Sequence, residues 1–131
     1  MNENKVNINS VSEFIDRSNY LRGLLLLIRK DKNVWDYEHV FFLEESASLG
    51  FDKEFSVTAL RELIGNKYID NTPPLFSNKN YAVRLIIRGV SLIRQNIRIH
   101  PDEVNFLIAT ARVNGLSDKW VNKIVPQAVK A

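Results

Sequence analysis

The segment from Leu27 to Phe55 recurs without a gap 65 residues further on, as Leu92 to Trp120. Six pairs are identical (Leu27/Leu92, Ile28/Ile93, Arg29/Arg94, Glu38/Glu103, Phe41/Phe106 and Gly50/Gly115), where average residue usage gives about two. Val34/Ile99, Leu43/Ile108, Phe51/Leu116 and Phe55/Trp120 extend the match conservatively. A chain with such an echo is expected to build one unit twice: a helix, a short turn, a second helix closing on glycine, and a capped third helix. The competing explanation is the punctuation that any antiparallel helical bundle shares. Two hairpins with wide apolar faces cannot stay apart in water, so either explanation packs the halves, about 11–70 and 77–126, into one domain.

The periodicity is helical throughout. Val83, Ile86, Ile87, Val90, Ile93 and Ile97 follow i, i+3, i+4, i+7, i+10 and i+14, which predicts one buried stripe on a helix from about Asn78 to Gln95, capped by Ser77. Leu21, Leu24, Leu25 and Ile28 repeat the spacing, and Leu26 and Leu27 make that helix apolar all round, as a central helix is. Val11, Phe14 and Ile15 suggest a short opening helix. Asp36 is expected to cap a helix from Tyr37 to Leu49 that stops at Gly50, and Asp52 another that stops near Gly65. Pro101 suits a first helical position and Gly115 a left-handed cap, with Val104, Leu107, Ile108 and Ala111 on the buried side. Ser117 opens a last helix, broken by Pro126, and Asn71-Thr72-Pro73-Pro74 joins the halves. No stretch alternates as a strand would, so the expected fold is all-α, a single bundle of six to seven helices.

Composition narrows the chemistry. The chain of 131 residues has no cysteine, which excludes disulfides, thiolate nucleophiles and cysteine-bound metals. Its longest apolar run, Leu24 to Ile28, is far short of a membrane span. Neither that run nor the opening residues resemble a secretory signal, so the expected location is cytoplasmic. Residues 1–70 hold nine basic and twelve acidic side chains and residues 71–131 nine and three, so the halves carry opposite net charge.

The turn Lys30-Asp31-Lys32-Asn33-Val34-Trp35-Asp36-Tyr37-Glu38, followed by an apolar helix and Leu49-Gly50-Phe51, resembles the TerB-type tellurite-resistance domain. Helix pairs of that family carry an Ala-Asp-Gly-x-hydrophobic-x-x-x-Glu turn and close on leucine-glycine. Asp31, Val34 and Glu38 match, while Lys30 and Lys32 replace the flanking alanine and glycine. The second copy, Gln95 to Glu103 with Asn114-Gly115-Leu116, has Asn96 in place of the aspartate. The resemblance covers about residues 20–124. It implies an all-helical cytoplasmic module linked to stress response, without known catalysis, working through protein partners and a bound metal ion.

Two constellations stand as candidate sites. Asp31, Asp36 and Glu38, joined by Asp102 and Glu103 if the two turns meet, would offer oxygen ligands to calcium or magnesium. The competing reading makes Asp36, Glu38, Asp102 and Glu103 acids of first helical turns, stabilised by the helix dipole. Arg84, Arg88, Ser91, Gln95 and Arg98 form a basic stripe that would meet nucleic acid or an acidic protein, or else a solvated helix face. Neither a zinc finger nor an RNA-recognition motif accompanies it, so a protein partner is expected ahead of nucleic acid. His39 and His100 belong to no His-Glu-x-x-His or Glu-x-x-His pair, and no glycine-rich phosphate loop occurs, so no catalysis is expected. Phe55 and Trp120 are expected in the core and Trp35 beside the first turn. Phe41 and Phe42 point about 100° apart, which would leave one near the surface for a partner, but core packing between the halves is expected ahead of that.

Overall fold

The computed structural model describes residues 8–30 and 36–128. It contains six helices: α1 (Ile8–Ile28), α2 (Asp36–Ser48), α3 (Lys53–Leu63), α4 (Lys79–Ile93), α5 (Pro101–Val113) and α6 (Asp118–Ile124), with no strand among the described residues. The fold is an all-helical bundle. α1 packs against α4 at its centre, α2 and α3 form one hairpin and α5 and α6 another, and α1 also touches α2 and α5. Among the described residues no helix is long and apolar enough to cross a membrane.

Boundaries recur at the 65-residue offset. Ile28 and Ile93 end the long helices, Asp36 and Pro101 start the next, Ser48 and Val113 end them, and Lys53 and Asp118 start the last. The hydrogen bonds recur with them. Gly50 (φ 89°) and Gly115 (φ 73°) take the left-handed conformation that costs a side-chain-bearing residue most. Around each, Phe51 N donates to Ser46 O and Leu116 N to Ala111 O, the six-to-one closure of a Schellman cap. Asp52 then accepts from Phe55 N at 2.8 Å and Ser117 from Trp120 N at 3.4 Å, opening the following helices as N-caps.

The close approach of the central helices is set by glycine. A Cβ on Gly23 would lie 2.7 Å from Leu85 and 3.0 Å from Pro74, and one on Gly89 would lie 2.9 Å from Leu107 and 3.0 Å from Leu27. Around this crossing sit Leu24, Leu26, Leu27, Ile28, Leu85, Ile86 and Ile93, all excluded from solvent. Two equivalent phenylalanines are each roofed by a cation from the other half. The Arg88 guanidinium lies 4.9 Å over the Phe41 ring and Lys30 Nζ 5.6 Å over Phe106.

Several expectations are corrected. The short opening helix and the Leu21–Ile28 helix are one helix, because no proline or cap interrupts residues 16–20 and Gly23 is held by packing. The buried face of α4 centres on Ala82, Leu85, Ile86, Gly89, Val90 and Ile93, since α1 and α5 grip the helix from two sides. Ile87 is therefore 45% exposed, and Ile97, beyond the end of α4, is fully exposed. The α4 N-cap is Asn78, whose side chain accepts from Asn80 N. Ser77 instead donates from its backbone and hydroxyl to Asp16, which also accepts from Asn78 N. Asp36 is the first residue of α2 and not its cap. Phe55, expected in the core, is half exposed, whereas Phe41 and Phe42 are both buried, in line with core packing.

The joining segment is stitched down from both halves. Arg22 donates to the carbonyls of Asp70 and Thr72 at 2.8 and 2.7 Å, and Arg29 to that of Asn66 at 2.7 Å. From α5, buried Asn114 donates to Pro74 O and accepts from Phe76 N, both at 2.9 Å. Asp70 turns this corner, its carboxylate accepting from the backbone and hydroxyl of Thr72, which holds its pKa below the usual range.

Candidate functional site

The start of α2 is tied to the second turn, and there Glu103 is spent on a helix start. Glu103, 1% exposed, accepts from His100 N at 2.9 Å and from Asn96 Nδ2 at 2.9 and 3.2 Å, while His100 Nδ1 accepts from Asp102 N at 3.0 Å. This is a capping box with histidine in the serine position. The Asp102 carboxylate also lies 3.7 Å from His100 Nδ1. Tyr37, at the start of α2, donates its hydroxyl to Asn96 Oδ1 and so ties the first turn to the second. Glu38 is buried to the same 1% as Glu103. Asp36 and Asp102 are exposed, and Asp31 and Trp35 lie outside the described residues. No group of three or more acidic or histidine side chains that could hold a metal ion occurs among the described residues. His39 is exposed on α2.

The arginine stripe is divided. Arg84 and Arg88 converge on Glu45 of α2, at 3.5 and 3.3 Å, and Arg84 donates to Ser48 Oγ at 2.6 Å. Glu45 also accepts the Tyr20 hydroxyl, and the Arg84 guanidinium stacks 5.1 Å from the Tyr20 ring. Burial, and then the bond to Glu45, push the Tyr20 hydroxyl well above the ordinary tyrosine range. Burial alone would lower the Arg84 pKa, yet neighbouring Tyr20 and Glu45 raise it above the usual value. A carboxylate only 5% exposed is thus compensated by two cations and a hydroxyl from other helices, as a buried charge must be. Arg98, beyond α4, is exposed.

A third place, not anticipated as a site, is the apolar cleft between α1 and α3. It has a volume of about 260 Å³ and is lined by Leu21 and Leu25 of α1, Phe51, Phe55 and Ala59 near α3, and Ile69 of the joining segment. Phe55 stacks on Phe51 with centroids 5.3 Å apart, and Phe14 tilts against Phe51 at 6.4 Å. Phe55 of the lining, and Val11, Phe14 and Ile15 in the preceding turns of α1, are 45 to 55% exposed. Contiguous exposed apolar surface of this kind marks binding sites more often than isolated residues do. The signal was present in the Val11, Phe14, Ile15 spacing, but spacing alone does not say whether a neighbour covers the face.

No protein-family model, curated protein or solved structure matches this chain significantly.

Proposed function

We propose that the protein is a non-catalytic interaction module that docks through the α1–α3 face. The observation that carries this is the apolar cleft together with exposed Phe55 and, in the preceding turns of α1, exposed Val11, Phe14 and Ile15, the apolar surface a partner would cover. The equivalents of Phe14 and Ile15 in α4 are Lys79 and Asn80, both exposed. Lys79 is where α4 begins, so the turns of α1 ahead of Phe14 have no helical counterpart in the second half, and exposed Phe14 and Ile15 are surface for a partner.

The TerB resemblance, with its stress-related role, enters as part of the same proposal. It is supported by the helix layout and by the recurrence of caps, glycines and buried glutamates at 65 residues, which also supports reading the halves as a repeat. A cytoplasmic setting belongs with it, on the lack of cysteine and so of any disulfide. The calcium or magnesium site stays a proposal without geometric support from the described residues, because Glu103 is occupied by its capping bonds. The basic-face reading draws little support, since Arg84 and Arg88 are engaged by Glu45.

The test is titration of dilute protein with the apolar dye bis-ANS. Wild type should take up dye saturably, Ile97→Glu should behave as wild type, and Phe14→Glu should lose uptake. Equal uptake by Phe14→Glu would remove the α1–α3 face as the docking surface.

A further inference from the structure

Of the five glycines in the chain only Gly115 follows an asparagine. An Asn-Gly pair carries a reaction of its own. The Gly115 amide nitrogen bonds to Asn114 Cγ, the Cγ–Nδ2 bond breaks, and Nδ2 leaves as ammonia with the proton that the amide nitrogen gives up. Water then opens the resulting five-membered imide at one carbonyl or the other, giving aspartate or isoaspartate. Glycine favours the ring closure because it has no Cβ to crowd the approach and a backbone free to turn. Water is the one co-reactant required.

The cap does not call for asparagine here. In the first half Leu49 precedes left-handed Gly50 and the same closure forms. Asn114 serves the joining segment instead: Nδ2 donates to Pro74 O at 2.9 Å and to Thr110 O at 2.8 Å, and Oδ1 accepts from Phe76 N at 2.9 Å. Asn114 is 4% exposed, and the attacking nitrogen is itself tied, Gly115 N donating to Arg112 O at 3.0 Å. Ring closure must release the side chain from these bonds, so it proceeds from an opened state. Residues 66–78 contain no helix or strand, and segments of that kind open at lower cost than packed helices do. The reaction cannot be undone by reclosing. An oxygen replaces Nδ2, so a carboxylate faces the carbonyls of Pro74 and Thr110 with no proton to share, and isoaspartate also lengthens the backbone at the cap by one carbon. We infer that Asn114-Gly115 is a self-modification site held latent by the joining segment, where an opening of that segment becomes a permanent change in the chain.

Peptide mass spectrometry of the full chain, incubated in mildly alkaline buffer with and without urea, tests it. Deamidation at Asn114 should run at least about a hundredfold slower in the folded protein than in urea. Phe76→Leu trims the buried ring that stacks on Tyr81 and anchors the segment beside Asn114. It should speed the folded reaction about fivefold with an unchanged circular dichroism spectrum. Glu45→Ala, which loosens the contact with Arg84 and Arg88 instead, should leave the rate within about twofold. Deamidation as fast in the folded protein as in urea would overturn the lock, and equal acceleration by the two variants would overturn the joining segment as its gate. No reaction at Asn114 in urea would remove the site itself. Asn114→Asp, which carries one of the two products, should melt at a lower temperature than wild type, and equal melting would overturn the permanence of the change.

Discussion

The halves of the molecule share their skeleton and differ in their dress. Each closes its second helix on a left-handed glycine, each opens its third with a side-chain cap, and each buries the N3 glutamate of its second helix. Outside that skeleton they diverge. The first half buries Glu45 and Tyr20 where the second buries Thr110 and Leu85, and it exposes Phe14 and Ile15 where the second exposes Lys79 and Asn80. Positions that set backbone conformation recur because geometry allows few residues there, whereas positions that face a neighbour vary with the neighbour.

The largest expected effect breaks this symmetry at Glu45. Glu45→Ala leaves two arginines and a buried hydroxyl without their acceptor and should cost about 3 kcal/mol in urea unfolding, moderated by the partial exposure of the arginines. Thr110→Val, at the equivalent position, loses one hydroxyl bond within its own helix and should cost about 1 kcal/mol. Equal losses would mean that Glu45 holds nothing the second half lacks.

Next comes the shared skeleton. Gly50→Ala and Gly115→Ala should each cost about 1 to 2 kcal/mol from the positive φ alone. The same unfolding experiment checks them, and a difference between the two above about 1 kcal/mol would break the equivalence of the caps.

A smaller effect appears only at high pH. Tyr20 keeps its proton in the fold above the pH near 10 at which an unfolded tyrosine ionises. Its contribution is therefore complete below that pH and lost as pH rises toward the folded value. Tyr20→Phe should flatten the alkaline decline in stability, and Leu85→Met in the second half should leave it unchanged.

The smallest effect on stability is expected on the outer face. Phe14→Lys with Ile15→Asn, which gives α1 the residues of α4, should change unfolding free energy by less than about 0.5 kcal/mol. The same pair should abolish bis-ANS uptake, which separates binding from folding.

Local features were the legible part of this chain. Gly50, Gly115, Asp52, Ser117 and Pro101 announce their roles because capping and left-handed backbone depend on few residues close in sequence. The apolar spacing gave the fold class for the same reason. The face of α4 was misread because two helices grip it, and a single stripe cannot describe two contacts. The Glu45 assembly was invisible because Glu45 follows another glutamate on a surface-like helix, and its partners come from helices distant in the chain. His100 as a capping side chain was likewise hidden, since serine, threonine, aspartate and asparagine usually fill that place. Of the proposed carboxylate site, the first-turn positions were legible and the commitment of Glu103 to Asn96 was not.

Chemical protection of a cysteine placed in the cleft tests the α1–α3 docking face most directly, because the chain has no cysteine of its own. Ser18 and Val83 occupy equivalent, half-buried positions of α1 and α4. Bis-ANS should slow the alkylation of Ser18→Cys, in the cleft lining, by a small maleimide and leave that of Val83→Cys unchanged. Equal protection of both cysteines, or of neither, would contradict the account.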